Sequence, residues 1–360
     1  MTSTRVTSRV LTHASLRIIA DGQAASGAYI ASPSFSQYGF GWLRDGAYCA
    51  MSMDAAGERD SAARFHEWAV AVVLRQAGRI RDIVSRTAGG ETVPVEHMLP
   101  TRYTLSGEGE EHGDDVWPNF QLDGYGTWLF AFDRHVRGSP SAAEAEAVAL
   151  VAEYLVATWE RPCYDYWEEF GDRVHTSTLA AVAAGLSAAA TLLDRPEFGA
   201  AAASVVARIE ADCVVGGAFV KGPDDARVDA SLISLATPFG VFSATDPRME
   251  ATIARIQREL MSPSGGVRRY VGDTYYGGSP WMLLTAWLGW HLRLVGDADG
   301  YAAARSWVED HADENGTMAE QITDEPQDPA FVEPWVRRWG PVADPLLWSH
   351  AKFLLMEHGA

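Results

Sequence analysis

The sequence predicts an all-α protein and, within that class, a ring of six antiparallel helical hairpins, an (α/α)6 barrel. Three observations predict it. Apolar residues recur at helical spacing from end to end, as in Phe65, Trp68, Ala69, Val72 and Val73. Alternating, strand-like runs are few. Short connections, around Gly57, Ser139, Pro196 and Gly296, alternate with long ones almost without exception.

The expected helices, in order, are Thr4–Ala20, Arg44–Ala56, Arg59–Ala77, Gln121–Arg137, Ala142–Thr158, Val174–Leu192, Glu197–Ala211, Asp229–Leu235, Pro247–Leu260, Pro280–Leu294, Ala298–His311 and Leu346–Glu357. Long connections follow the odd-numbered members of this series. In an up-and-down array alternate connections lie at the same end, so the long loops should collect on one face. Long loops in compact domains usually bind or react with something, which makes that face the place for a site.

The chain has 360 residues, 47% hydrophobic and 21% charged, an ordinary globular composition able to bury a large core. No Pro/Gly/Ser-rich linker divides it, so residues 1–360 are expected to form one domain, as a monomer or weak homo-oligomer. A formal net charge of −19 repels phosphate backbones and anionic lipid, and a neutral small-molecule partner is expected instead. Cys49, Cys163 and Cys213 lack CxxC spacing and are expected as buried free thiols. Neither a signal peptide nor any stretch approaching membrane-spanning length is expected, which points to the cytoplasm.

Chemistry is carried on the long loops. The first ends in Tyr38-Gly39-Phe40-Gly41-Trp42-Leu43-Arg44-Asp45. Pyranose rings offer apolar faces for stacking and hydroxyls for bidentate hydrogen bonds, a match for this mixture of aromatic and charged groups. Alone, the Arg44-Asp45 pair is also accounted for by a helix-start carboxylate and its neighbour. The second loop holds Trp117-Pro118-Asn119-Phe120-Gln121-Leu122-Asp123-Gly124, preceded by the acidic run GEGEEHGDD, which lacks EF-hand spacing and reads as a solvated segment.

The third loop contains Tyr164-Asp165-Tyr166-Trp167-Glu168-Glu169. A carboxyl pressed against rings prefers its neutral form, as a general acid must near neutral pH. The fifth carries Val267-Arg268-Arg269-Tyr270-Val271-Gly272-Asp273-Thr274-Tyr275-Tyr276-Gly277-Gly278-Ser279-Pro280-Trp281. A turn accounts for its glycines and proline but not for its arginines and tyrosines. The last offers Met318-Ala319-Glu320-Gln321 and, further on, Leu347-Trp348-Ser349-His350. Glycoside hydrolysis needs two carboxyls flanking the bond, and Glu168 and Glu320 could supply them from across the ring. No metal-ligand spacing, phosphate-binding glycine loop or GxSxG elbow is present, so no cofactor or metal is expected.

Together these motifs resemble glycoside hydrolase family 15, the glucoamylase family of inverting exo-glucosidases on an (α/α)6 barrel. The segments fall in the family's order: YGFGWLRD at 38–45, WPNFQLDG at 117–124, YDYWEE at 164–169, DASLISL at 229–235, VRRYVGDTYYGGSPW at 267–281, MAEQ at 318–321 and LLWSHA at 346–351. The resemblance implies Glu168 as general acid and Glu320 as general base. It implies that Arg44 and Asp45 bind the terminal glucose, and that Tyr38, Trp42, Trp117, Trp167, Glu169, Arg269, Gln321 and Trp348 line the glucose subsites. Inversion would require the two carboxyls to stand roughly 6.5–9.5 Å apart, leaving room for water. Two departures are Ser279-Pro280-Trp281 where the family often has NPW, and a barrel with no accompanying β-sandwich or starch-binding module, which argues against granular starch as substrate.

The expected activity is release of glucose from the non-reducing end of short α-glucosides, α-1,6-linked isomaltose and its oligomers before α-1,4-linked maltooligosaccharides or trehalose. The alternative of another class is a catalytically silent sugar-binding barrel.

Overall fold

The computed structural model describes residues 7–109, 117 and 119–360. Thirteen α-helices are found among them: α1 Ser8–Asp21, α2 Leu43–Ala55, α3 Arg59–Arg75, α4 Ala77–Ala88, α5 Asp123–His135, α6 Ala142–Thr158, α7 Thr176–Leu193, α8 Pro196–Asp212, α9 Pro247–Glu259, α10 Met282–Leu294, α11 Ala298–His311, α12 Val332–Trp339 and α13 Leu347–His358. Most of the acidic run, 110–116, lies outside the described residues, as do Pro118 and the expected start of the first helix at 4–6.

The helices form an (α/α)6 barrel. Around its inside, α13 packs on α2, α2 on α5, α5 on α7, α7 on residues 230–235, these on α10, and α10 on α13. Each inner member has an outer partner, α3, α6, α8, α9, α11 and α1 respectively for α2, α5, α7, residues 230–235, α10 and α13.

Sequence decides which helix goes where. The inner α7, TSTLAAVAAGLSAAATLL, is apolar on all sides and is buried along nearly its whole length. The outer α9 is amphipathic and buries Met249, Thr252, Ile253 and Ile256, one face at helical spacing. The inner α5 and α7 come together where Gly126 meets Gly185. A Cβ on Gly126 would lie 2.3 Å from the Ala181 carbonyl oxygen, so only glycine permits this approach.

Four expectations are corrected. Asp229–Leu235 is not an α-helix: Ala230–Leu235 is a 3-10 segment, and it still occupies the sixth inner position. Its six residues cap on the Asp229 side chain, which accepts from the Ser231 N–H. Residues 77–88 form α4, an amphipathic helix burying Ile80 and Ile83 rather than a loop. Residues 332–339 form α12, with Pro334 in its first turn, where a missing N–H costs nothing. Finally, α7 does reach membrane-spanning length and apolarity, with most of it buried inside the barrel.

The expected clustering of loops holds. Connections 22–42, 159–175, 213–229, 260–281 and 312–346, with the segment between α3 and α5, are the long ones, and five of them contribute directly to one pocket. Cys49, Cys163 and Cys213 are free and buried.

Candidate active site

The pocket has a volume of about 400 Å³ and is walled by rings, among them Phe35, Tyr38, Trp42, Trp117, Tyr166, Trp167, Tyr275, Trp281 and Trp348. Arg44, Asp45, Glu168, Glu169, Arg269 and Glu320 face into it. All the residues expected from sequence therefore meet here except Gln321. That side chain is buried outside the pocket wall, with neither amide atom partnered among the described residues, while its backbone bridges to Trp281.

Glu168 sits on a tightly wound loop. Asp165 accepts the N–H groups of Trp167 and Glu169 on Oδ1, each at 2.9 Å, and the Glu168 N–H donates to the Asp165 carbonyl at 3.1 Å. This winding puts Glu168 at φ +57° and Phe170 at φ +51°, left-handed conformations that cost a non-glycine residue about 1 kcal/mol or more.

A buried ion triad holds the loop in place. Lys221 Nζ donates to Asp165 Oδ2 at 2.8 Å and to Asp229 Oδ2 at 2.5 Å, and the Trp167 indole N–H donates to Asp229 at 3.1–3.2 Å. The Lys221 side chain is 4% exposed. Removing its charge leaves two buried carboxylates facing one another, so Lys221→Met should lower stability by about 3–5 kcal/mol in urea denaturation. A loss below about 1 kcal/mol would show that the triad does not anchor the loop.

Arg44 is the hub of the acid side. From the first turn of α2 it reaches Asp45 Oδ2 at 3.2 Å, Asp123 Oδ2 at 3.1 Å and Glu168 Oε1 at 2.9 Å, and its guanidinium lies 4.8 Å from the Trp348 ring centroid. Burial pushes the Glu168 carboxyl above its ordinary value, and Arg44 pulls against that shift. Burial likewise raises Asp45 and Asp123 to about 6 against the same arginine.

Arg269 plays a parallel part. It donates to Asp273 Oδ2 at 2.7 Å and Oδ1 at 2.5 Å, reaches Glu169 Oε1 at 3.4 Å, and lies between 5.1 and 5.5 Å from the rings of Trp167, Tyr275 and Trp281. Tyr270 donates its hydroxyl to Glu169 Oε2 at 2.5 Å. Burial raises the Glu169 carboxyl, with Arg269 opposing.

Glu320 approaches from the last long loop, its backbone N–H fixed on the Ala343 carbonyl at 2.8 Å. The Tyr38 hydroxyl donates to Oε1 at 2.9 Å and lies 3.1 Å from the Tyr275 hydroxyl, while Oε2 is buried without a partner among the described residues. Burial pushes this carboxyl up to about 8, with Tyr38 and Arg269 pulling it down. Both carboxyls thus hold a proton more firmly than in water.

Several wall residues were not among the expected site residues. Tyr275 stands in a quoted motif, but nothing in its spacing separates it from Tyr270 and Tyr276. Trp335, Arg338 and Trp339 come from α12, where the run WVRRW puts rings and a cation at i, i+3 and i+4 on one helical face. Asp123 and Lys221 hold the acid side without lining the pocket. A buried lysine leaves no local pattern, because its partners lie 56 residues upstream and 8 downstream.

The chain is similar to known proteins along most of its length. A model of the glycosyl hydrolases family 15 matches residues 9–325. The isomaltose glucohydrolase of Kribbella flavida is 40% identical over 348 residues, covering 94% of this chain and 89% of that protein. A glycosidase solved as a glutamate-to-alanine variant in complex with glucose superimposes with a TM-score of 0.90 at 38% identity, over 96% of this chain and 95% of that one. The glucoamylase of Saccharomycopsis fibuligera, 16% identical, shares the fold at a TM-score of 0.69 over 99% of this chain and 96% of its own.

Proposed function

The chain belongs to family 15 of the glycosyl hydrolases, and from that premise we propose that it releases β-glucose, with inversion, from the non-reducing end of short α-1,6-linked glucosides such as isomaltose. The observation that carries this reading is the pairing of Glu168 and Glu320 in one aromatic pocket, each held by a different set of partners.

In the proposed reaction Glu168 protonates the glycosidic oxygen as the bond to the anomeric carbon breaks. Glu320 takes a proton from the water that attacks the opposite face. Arg44 and Asp45 hold hydroxyls of the terminal glucose by bidentate hydrogen bonds, and the indoles stack on its apolar faces. The indole N–H groups of Trp42, Trp117, Trp281 and Trp348 are buried without partners among the described residues.

Preference for α-1,6 linkage is supported by the likeness to a protein named for isomaltose, and preference for short substrates by the wall that α12 builds with Trp335, Arg338 and Trp339. Isomaltose, maltose, maltotriose and trehalose, offered at equal concentration and followed by proton NMR over the first minutes, test the reading directly. Isomaltose should be consumed fastest and give β-glucose first. Fastest release from maltotriose or trehalose would reassign the linkage, α-glucose appearing first would overturn inversion, and tight binding with no release would make the barrel a sugar-binding one.

A further inference from the structure

At the end of the barrel away from the pocket, three helices bring together side chains that the reaction does not use. Asp54 lies near the C-terminal end of α2, His66 in α3, and His135 is the last residue of α5. At 1.5 Å per residue, Asp54 is about 15 Å along its helix from Arg44, and His135 about 18 Å from Asp123. The cluster is therefore separate from the catalytic pocket.

His135 Nδ1 and Asp54 Oδ2 are 2.8 Å apart, and one ring nitrogen of His66 completes a set whose three atoms lie within 4.8 Å of one another. The His66 and His135 rings are 4.7 Å apart, centroid to centroid. His66 is the telling member. It is 3% exposed, it packs among the rings of Phe65 and Phe132, and neither of its nitrogens has a hydrogen-bond partner among the described residues. Burying two unmatched polar atoms costs free energy that a leucine in the same space would not incur.

Two imidazoles and a carboxylate are a borderline-soft donor set that suits zinc and its neighbours rather than calcium or magnesium. Tetrahedral ligands at about 2.0–2.2 Å from an ion stand roughly 3.3–3.6 Å apart, so Asp54 and His135, at 2.8 Å, would open slightly and His66, within 4.8 Å, would close on them. The Asp54 and His135 side chains are 19% and 12% exposed, which leaves a way in and a fourth position for water. Arg59 lies on the far side of the carboxylate, 3.6 Å from Oδ1, with its other nitrogen on the His135 carbonyl at 2.6 Å. It leaves Oδ2 to His135, whose hydrogen bond an ion would replace, and its charge weakens the site.

We propose that Asp54, His66 and His135 bind one divalent transition-metal ion, zinc by preference, which ties α2, α3 and α5 together at the end of the barrel away from the pocket. No local sequence spacing betrays the site, because each ligand comes from a different helix.

The test uses the whole chain, stripped with chelator and titrated with Co²⁺ and then Zn²⁺. Binding of about one Zn²⁺ per chain, visible d–d bands of four-coordinate Co²⁺ that Zn²⁺ displaces, and a Tm raised by a few degrees are expected. Asp54→Asn keeps the side chain's size and an acceptor for His135, and should weaken binding at least about tenfold, as should His135→Gln. Less than half an equivalent bound by the parent would overturn the site. Undiminished binding by both folded variants would overturn it too, by placing the ion elsewhere.

Discussion

Replacing Glu320 with glutamine should lower kcat on the preferred glucoside by roughly 10³–10⁴-fold while glucose still binds. The amide has the carboxyl's shape and still accepts from the Tyr38 hydroxyl, but it cannot take a proton from water. The proposed roles require Glu168 protonated and Glu320 ionised together, so kcat/KM should be bell-shaped in pH, with limbs that belong to the pair and one of them near 8, where burial sets the Glu320 proton. In the variant that limb is lost.

A linked effect on stability provides the control. The folded-state pKa of Glu320 lies above its ordinary value of 4.5, so stability from burying it neutral is fully present below 4.5 and is lost as pH rises through about 8. Glutamine never ionises. The variant should therefore gain in Tm over the parent progressively across that window, which separates loss of the base from loss of the fold. A kcat within tenfold of the parent would remove Glu320 from the reaction.

Arg44→Lys should also be severe, although it conserves charge. One ammonium cannot reproduce the fork that reaches Asp45, Asp123 and Glu168 from a side chain only 4% exposed. Leaving buried carboxylates short of their partner costs about 3 kcal/mol or more. Felt in the transition state, that is roughly a 10²-fold fall in kcat/KM. Because Arg44 pulls the Glu168 carboxyl down, weakening it should also move upward the limb of the pH profile that Glu168 sets. A purely structural role would lower the rate without moving that limb.

Much of this was legible in the sequence because the physics involved is local. Inner and outer helices differ in how far around their surface the apolar residues extend, and α7 and α9 show the two extremes. The ring followed from alternating connection lengths, and even the 3-10 segment at 230–235 took its place in order. What stayed hidden depends on distance along the chain. Lys221 matters through Asp165 and Asp229, Tyr275 through Tyr38, and α12 through an aromatic face that two nearby prolines, Pro329 and Pro334, made look like loop. Gln321 was carried by its motif alone, and its buried amide points away from the pocket wall that its neighbour lines.

The gathering of long connections at one end makes the barrel unusually open to change by insertion. Doubling the length of a surface loop costs only about 0.6 kcal/mol of closure entropy, and nothing added at that end has to pass between the inner helices. The segment between α11 and α13 is a case in point: it holds a whole helix, α12, whose residues Trp335, Arg338 and Trp339 reach the pocket while the inner ring runs on from α10 to α13 beneath it. A loop can be lengthened over the pocket in this architecture with Glu168, Glu320 and the core beneath them left as they are.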